Sequence, residues 1–169
     1  MERHDVDDVV GLLSMTLMAA VFNTQVSLAW ILVHLYSEPT LLARARAEIA
    51  QCEDLRRYSE LQKMQFLNCC IDESVRLHTM LPGNTVLRKS LRPTSFQDVD
   101  IPAGSLLWLY PNAVHQDPAY FEQPAAFCPM RLLSADALKR KADNFELVTF
   151  GHGGKRCIGE KMARAMICA

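Results

Sequence analysis

One cysteine stands in a glycine-rich stretch whose composition favours presentation of a thiolate. The stretch runs Phe150-Gly151-His152-Gly153-Gly154-Lys155-Arg156-Cys157-Ile158-Gly159 and leads directly into a helix-forming segment. A helix N-terminus and nearby cations stabilise negative charge on sulfur, and the thiolate is the form that binds metals. Glycines let the backbone bend tightly and approach a flat, bulky group. The pattern predicts a metal-binding Cys157; the alternative is a buried cysteine in a loop that leads into a helix.

The other five cysteines indicate neither a disulfide framework nor a second metal site. Cys69 and Cys70 are adjacent, while Cys128 and Cys168 are isolated. We therefore expect five ordinary free thiols. A zinc site is the rival interpretation of Cys157, but no Cys-x-x-Cys pair occurs, and His152 with Cys157 lacks a matching second pair.

Five residues of the glycine-rich stretch match a known signature. Phe150, Gly153, Lys155, Cys157 and Gly159 stand in the pattern Phe-x-x-Gly-x-Arg/His/Lys-x-Cys-x-Gly. This resembles the haem-binding signature of the cytochrome P450 superfamily. The resemblance implies that Cys157 is the axial ligand of the iron of haem b (iron protoporphyrin IX). It also implies that Lys155 faces a haem propionate, as a point charge without the fork of an arginine.

A second motif lies upstream, in the segment from Leu61 to Met80. Glu73 and Arg76 form Glu-x-x-Arg, and residues three apart share one face of a helix. By itself this pattern is more typical of an exposed ion pair. However, Phe127-Cys128-Pro129-Met130-Arg131 resembles the Phe-x-Pro-x-Arg stretch that the P450 family places before its cysteine. The resemblance implies a structural network of Glu73, Arg76 and Arg131 that holds the cysteine loop.

Two further positions match residues that bind haem propionates in the family. Arg88 follows the Glu-x-x-Arg helix in a predicted strand, and His115 lies in Asn112-Ala113-Val114-His115-Gln116-Asp117-Pro118. The resemblance implies that both side chains face a propionate. The alternatives are an ordinary strand cation for Arg88 and a loop-capping histidine for His115.

The N-terminal segment from Val9 to Ser37 contains no Asp, Glu, Lys or Arg. This uncharged segment is long enough to be a membrane-span candidate. Its polar residues favour a helix that crosses a protein core with one polar stripe, because polar groups at a bilayer centre are costly. The acidic start disfavours a signal peptide. The polar residues are Asn23, Thr24, Gln25, Ser27 and His34, and the acidic ones are Asp5, Asp7 and Asp8.

The stretch Ala20-Val21-Phe22-Asn23-Thr24 resembles the distal-helix motif Ala/Gly-Gly-x-Asp/Glu-Thr of the P450 family. Val21 replaces the usual glycine, and Asn23 replaces the acid associated with proton delivery. Thr24 keeps the hydroxyl that the resemblance implicates in oxygen activation. With an Asn at this position, the motif resembles that of the branch that contains the sterol and bile-acid 7-alpha-hydroxylases and prostacyclin synthase. The sterol 14-demethylase branch is a second possibility.

The sequence predicts a mainly α fold with short β-strands (α+β). The resemblance implies the C-terminal part of the cytochrome P450 fold, with a long distal helix, a Glu-x-x-Arg helix, a meander and a cysteine-ligand loop. Residues 111–149 are loop-rich. The predicted helices are Val6–Tyr36, Thr40–Cys52 with Thr40 as N-cap, Ser59–His78 and Gly159–Ala169, and the predicted strands are Thr85–Leu91 and Leu106–Tyr110 around the turn Pro102-Ala103-Gly104.

The composition fits one domain with its own core. Half of the 169 residues are hydrophobic and the formal net charge is −1, so a nucleic-acid partner is not expected. We expect residues 1–169 to form a single partial cytochrome P450 domain, cut at both ends. Membrane association would then depend on segments absent here. A cationic run, Lys139-Arg140-Lys141, could meet an acidic reductase, although a solvated loop is the simpler interpretation.

Three functions stay open at this point. The first, implied by the resemblance, is the haem-binding part of a monooxygenase, with a small apolar substrate of sterol or lipid type and an NADPH-dependent reductase as redox partner. The second is a haem-thiolate isomerase or dehydratase that needs no reductase, for which Asn23 is the motivating residue. The third is a non-catalytic fragment with exposed apolar surface. A full-length eukaryotic parent would be intracellular, at the endoplasmic reticulum membrane.

Overall fold

The computed structural model of the chain describes residues 6–78, 86–134 and 147–169. These residues are mostly helical with a few short strands, which confirms the predicted fold class in its coarse form. The helices are α1 (Val6–Met18), α2 (Thr24–Ser37), α3 (Pro39–Ile49), α4 (Tyr58–Leu61), α5 (Gln65–Leu77), α6 (Asn112–His115) and α7 (Glu160–Cys168). The strands are β1 (Val86–Lys89), β2 (Thr94–Phe96), β3 (Val99–Ile101) and β4 (Leu106–Leu109).

The long N-terminal helix forms as predicted and contains an irregularity that the sequence did not show. A π-helical segment, Ala19–Asn23, joins α1 to α2 without a break in the helical path. The helix ends at Ser37 because Glu38 precedes Pro39 and takes an extended conformation, with φ −130° and ψ 98°.

The burial of this helix differs between its two halves. Every residue of α1 is exposed, whereas α2 buries Thr24, Ile31 and Leu35. Helices α3, α5 and α7 pack against α2. The prediction of a helix that crosses a core is therefore wrong for α1, because the described packing elements reach only α2. The stretch Val6–Ser37 is long and apolar enough to cross a membrane by length and composition alone, a property that core helices share.

Helix α3 begins one residue before its predicted N-cap. Pro39 occupies the first helical position, where its missing N–H costs nothing. Thr40 is therefore inside the helix, and its hydroxyl donates to the Glu38 carboxylate at 3.0 Å. The prediction of Thr40 as the N-cap is wrong for this reason. The helix buries Ala45 against the core.

The predicted helix Ser59–His78 is divided into α4 and α5. The division is stabilised from outside, because the Glu48 carboxylate of α3 accepts the N–H groups of Phe66 at 2.8 Å and Leu67 at 2.9 Å. These are the second and third residues of α5, whose N–H groups have no partner within the helix. A long-range cap of this kind has no local sequence signature.

Two antiparallel two-stranded sheets follow α5. Strands β1 and β4 pair with Arg88 opposite Leu107, close to the predicted strands, while Thr85 lies outside the described residues. Gly104, with φ +86°, forms the predicted turn before β4. The hairpin β2–β3 was missed by the sequence interpretation; it pairs Phe96 with Val99 across a tight turn.

The hydrophobic core lies where α2, α3, α4, α5 and α7 meet. A pair of imidazoles extends it at one end, with His34 Nε2 and His78 Nε2 2.7 Å apart and His78 stacked on Trp30 at 3.8 Å. Helix α5 contributes the largest share of buried residues, so it is the element on which the candidate site is built. The core residues are Ile31, Leu35, Ala45, Leu61, Met64, Phe66, Leu67, Cys70, Ile71 and Cys168.

Candidate active site

Helix α5 carries two oppositely charged, fully buried residues one turn apart, Glu73 and Arg76. The Arg76 guanidinium donates from Nε to Glu73 Oε2 at 2.9 Å and from Nη2 to Oε1 at 2.8 Å. Arg131, from the 3₁₀ turn Pro129–Leu132, donates from Nε to Glu73 Oε1 at 3.0 Å. The structure thus brings these three residues together, and we call the set the Glu73 network.

Main-chain groups satisfy the rest of this network. Arg76 donates to the carbonyl oxygens of His115, Pro124 and Ala126 at 2.6, 2.7 and 3.2 Å. The carboxylate also accepts the Cys128 N–H at 3.0 Å. Buried ions are costly unless their remaining hydrogen-bonding positions are filled. Because the backbone fills them, the network holds the chain upstream of the cysteine against α5.

His115 is fully buried beside Arg76 and does not face an open surface. Its Nε2 accepts the Val148 N–H at 3.2 Å, and its ring meets Phe121 edge-on. Burial and the Arg76 charge lower the pKa of His115 to about 4. A side chain with no accessible atom cannot reach a haem carboxylate in this conformation. The structure therefore disagrees with a propionate role, and His115 instead ties α6 to the residues just before the cysteine loop.

The cysteine loop, residues 150–159, turns tightly and presents its thiol outward. The Cys157 N–H donates to the Phe150 carbonyl at 2.8 Å, which closes the turn. Gly151 and Gly153 have φ values of 73° and 60°, which favour glycine. The Cys157 side chain is exposed, and a Cβ built on Gly159 would lie 3.9 Å from its Sγ. The sulfur therefore sits beside the N-cap of α7, where the helix dipole favours negative charge.

The remaining thiols have different surroundings. All six cysteines lie in the described part of the chain, and no disulfide joins any two of them. Cys69, Cys70 and Cys168 are buried, and Cys52 and Cys128 are half-buried. Burial raises the pKa of Cys70 and raises the pKa of Cys168 to about 11. Cys157 is thus the one exposed thiol of the six and the most available as a ligand.

Phe150, the first residue of the signature, anchors the loop to the core. Its half-buried ring packs against the core cluster, and the Arg164 guanidinium lies 4.8 Å above it. Lys155 belongs to a short 3₁₀ turn, Gly153–Lys155; its side chain is outside the described part. The cationic run of residues 139–141 is also outside the described residues.

A second ionic cluster, which sequence reasoning missed, lies where the loop leads into α7. Arg164 of α7 donates to Asp72 Oδ1 at 2.6 Å and to Glu160 Oε1 at 3.1 Å. Arg156 donates to Glu160 at 2.6 and 2.8 Å. The spacing of four residues between these three charges was the available signal. The Asp72 partner could not be found in this way, because it is distant in sequence.

The predicted distal residues fall at the junction of the π-helical segment and α2. Thr24 is 7% exposed, whereas Val21 and Asn23 are exposed. A π-helical turn inside an α-helix is rare and recurs at functional sites. This irregularity is a feature of the candidate site that the sequence motif alone did not reveal.

Arg88 lies on β1 with an exposed side chain that donates to the Leu87 carbonyl at 3.0 Å. The described residues show no hydrogen bond or ion pair that joins Arg88 or Thr24 to Cys157. The structure therefore assembles the Glu73 network and the cysteine loop on α5, while Thr24 and Arg88 stand on separate elements.

Comparison with known proteins identifies the family of this chain. The family model described as Cytochrome P450 matches residues 2–168. Similar curated proteins include cytochrome P450 93B2 of Gerbera hybrida, 34% identical over 93% of this chain and 32% of that protein. Cytochrome P450 84A4 of Arabidopsis thaliana is 27% identical over 95% of this chain and 32% of that protein. Iridoid oxidase of Catharanthus roseus is 27% identical over 86% of this chain and 28% of that protein.

These relatives are plant proteins, and they lend no support to the predicted lean toward the sterol and prostacyclin synthase branches. The chain spans about a third of the length of the relatives that it matches. The family match nevertheless covers nearly every residue, including the Glu73 network and the exposed thiol of the cysteine loop. On that match, the chain belongs to the cytochrome P450 family.

Proposed function

We propose that this chain is the cysteine-bearing part of a haem-thiolate monooxygenase, with Cys157 as the axial ligand of the iron. The observation that carries the proposal is the exposed thiol of Cys157, held beside the start of α7 in a closed turn, in a chain of the cytochrome P450 family. The activity is proposed for a whole P450 protein, because this chain spans about a third of the length of its relatives.

The donor chemistry of the site fits a haem. A haem iron takes a single thiolate from the protein in this family of sites, whereas zinc takes four protein ligands in structural sites and three in catalytic ones. Within residues 6–78, 86–134 and 147–169, no three His, Cys, Asp or Glu side chains are grouped closely enough to hold a metal ion. One exposed thiol at a helix N-terminus therefore matches the haem requirement better than the zinc requirement.

A thiolate-ligated haem, when bound, would supply the activation of dioxygen: one oxygen atom enters a carbon–hydrogen bond, and two electrons from the reductase with two protons reduce the other atom to water. The residues of this chain would support that chemistry by position. The Glu73 network holds the segment upstream of the thiol, and Phe150 with the glycines shapes the turn that presents it. Lys155 and Arg88 are the proposed partners of the propionates, because a cation pairs well with a carboxylate.

Thr24 and Asn23 are the proposed distal residues. The hydroxyl of Thr24 can both donate and accept a hydrogen bond. The amide of Asn23 can orient water but does not titrate. The buried position of Thr24 next to a π-helical turn supports a role for its hydroxyl at an internal site.

We propose haem b as the cofactor, a small apolar substrate and an NADPH-dependent reductase as the electron donor. The family supports a haem and a redox partner in general. The plant relatives support a eukaryotic, endoplasmic reticulum location for the parent protein. One of the relatives is named iridoid oxidase, and that name states an oxidation for that protein.

Two alternatives each rest on an observation. Asn23 in place of an acid favours an isomerase or dehydratase, and activity without an electron donor would identify it. The exposed apolar residues of α1 favour a non-catalytic fragment; Met15 is 74% exposed and Leu12 69%. Aggregation of the purified chain both with and without haem would identify that outcome.

The experiment that tests the main proposal is the reduced, carbon monoxide difference spectrum of the purified chain after haem addition. We expect a Soret band at the position typical of thiolate ligation, and we expect Cys157→Ala to lose it. Cys128→Ala is the matched control, because Cys128 is only half-buried and lies outside the loop. A spectrum unaffected by Cys157→Ala would contradict the assignment of the iron ligand.

A further inference from the structure

The cysteine loop is attached to α5 by contacts that do not involve the Glu73 network. Arg164, one turn into α7, donates from Nη2 to Asp72 Oδ1 at 2.6 Å and from Nη1 to Asn68 Oδ1 at 3.3 Å. Asp72 and Asn68 are one turn apart on α5. The end of the loop is therefore joined to the same face of α5 by one guanidinium.

The start of the loop reaches the same pair. The Thr149 hydroxyl donates to Asp72 Oδ1 at 3.5 Å, and the Phe150 ring lies against the Arg164 guanidinium at 4.8 Å. Both chain segments that flank Cys157 thus meet at Asp72 and Arg164. Glu160, the first residue of α7, extends the contact back to Arg156, the immediate neighbour of the cysteine.

The ion pair of Asp72 and Arg164 is largely buried, which restricts the relative orientation of the two side chains. The side chains of Asp72 and Arg164 are 7% and 19% exposed, and that of Glu160 is 14% exposed. Burial acts to lower the pKa of Arg164, but the charges of Asp72 and Glu160 outweigh it and raise the pKa. Pairs held out of water in this way are directional, and their main benefit can be conformational specificity.

Asp72 and Glu73, which are neighbours on α5, contact different parts of the chain. Side chains of consecutive helical residues point about 100° apart, so Asp72 and Glu73 face different partners. Glu73 holds residues upstream of the loop through Arg131 and Cys128 N–H, whereas Asp72 faces the loop and α7. The two carboxylates therefore hold different segments of the chain against α5.

We propose that Asp72 and Arg164 are positioning residues that hold the cysteine loop on α5 and thereby set the direction of the Cys157 sulfur. The inference rests on the proposed role of Cys157 as the iron ligand. Neither side chain touches the sulfur. Their effect is transmitted through Thr149 and Phe150 on one side and through Glu160 on the other.

The test is a double-mutant cycle with Asp72→Asn, Arg164→Gln and the double variant in the full 169-residue chain. The first readout needs no haem: it is the hydrogen-exchange rate of the Cys157 amide, which donates to Phe150. We expect each single variant to exchange about tenfold faster than wild type, and the double variant no faster than the faster single variant. Unchanged rates, or effects of the single variants that multiply in the double variant, would overturn the proposal.

A matched control uses an ion pair of the same length elsewhere. Lys63 donates to Glu60 at 2.6 Å, but its side chain is 70% exposed, and it lies in the segment between α4 and α5. Lys63→Gln should leave the Cys157 amide unchanged. If Arg164→Gln does not fold, as judged by circular dichroism, Arg164→Lys replaces it. That variant keeps the charge but loses the fork, so faster exchange supports the proposal and an unchanged rate contradicts it.

The second readout is the carbon monoxide difference spectrum of the same variants with haem. We expect Asp72→Asn and Arg164→Gln to reduce the fraction of the thiolate-type band, Arg164→Lys to retain more of it, and Lys63→Gln to retain it fully. Absence of that band in the wild-type chain would count against the proposed function only. The exchange measurements would then still decide whether Asp72 and Arg164 hold the loop.

Discussion

The Glu73 network and the cysteine loop are neighbours on α5 and are built in opposite ways. In the network, two charged side chains are fully buried, and main-chain carbonyls complete their hydrogen bonds. In the loop, Cys157 is exposed and the side chain after it, Ile158, is 96% exposed. The fold buries the ionic contacts of the network and leaves the thiol of Cys157 exposed.

This difference separates the support of the site from its chemistry. A buried charge with several partners resists displacement, because loss of any one partner leaves an uncompensated ion. An exposed thiol tolerates substitution but can bind a ligand. Stability should therefore depend on the network, and ligand binding on the loop. Substitutions on either side test that division.

Replacement of Glu73 by Gln should be the most damaging single change. The variant leaves the charges of Arg76 and Arg131 without their buried carboxylate, and we expect a loss of about 3–5 kcal/mol in the free energy of unfolding. Urea denaturation followed by circular dichroism measures it. Glu60→Gln, which breaks the ion pair with Lys63, is the control and should lose much less, because the Lys63 side chain is 70% exposed. Equal losses would contradict the division.

Acidification should weaken the same side of the site through His115. Its pKa falls from an ordinary value of 6.5 to about 4 in the fold, so the unfolded chain binds the proton more readily. The contribution of neutral His115 to the free energy of unfolding is fully present above pH 6.5 and is lost as the pH falls toward 4. We expect His115 to account for a loss of about 2 kcal/mol between pH 7 and pH 5.

The measurement for His115 is the unfolding free energy of wild type and His115→Gln at several pH values. Glutamine cannot titrate, but its oxygen can accept the Val148 N–H that Nε2 accepts now. The pH dependence of the variant should be shallower by the same amount. Identical slopes would mean that His115 is not protonated on unfolding in this range.

Removal of the Glu48 carboxylate should have a smaller effect at the other end of α5. Glu48→Ala leaves two N–H groups of the first turn without their acceptor, and we expect a loss of about 1 kcal/mol in the free energy of unfolding. Glu53→Ala is the control, because Glu53 is exposed. A loss in Glu48→Ala no larger than in the control would exclude the long-range cap.

Cys157→Ser should change stability least. The side chain is exposed, and the turn depends on the Cys157 N–H, which serine retains. We expect an unchanged urea midpoint together with loss of the thiolate-type carbon monoxide spectrum. The two measurements on one variant sharpen the comparison. A clear fall in the urea midpoint would show that the thiol is also structural.

Short motifs predicted the parts of the site whose geometry is local or tied to a family pattern. The motif residues Glu73, Arg76 and Arg131 are expected to form one network, and they do meet. The glycine-rich pattern places Cys157 in a turn before a helix, and it lies there. The roles of Lys155, Arg88, Asn23 and Thr24 toward a haem stay predictions.

Errors arose wherever a distant residue decided the outcome. His115 was assigned to a propionate, but burial against Phe121 and the Val148 N–H directs it inward. The helix Ser59–His78 was predicted as continuous, but it divides where Glu48 caps α5. The core prediction for the N-terminal helix failed over α1, because its apolar pattern does not state which elements cover it.

Residue types and short spacings were enough to predict the family, the fold class, and the cysteine with its turn. Arg131 as a partner of Glu73, 58 positions away, followed from the family resemblance. Only the tertiary structure decided which carboxylate caps α5, which way His115 faces, and that Asp72 meets Arg164 across 92 positions of the chain. Such contacts depend on how helices pack, and helix packing is a property of the whole assembled core.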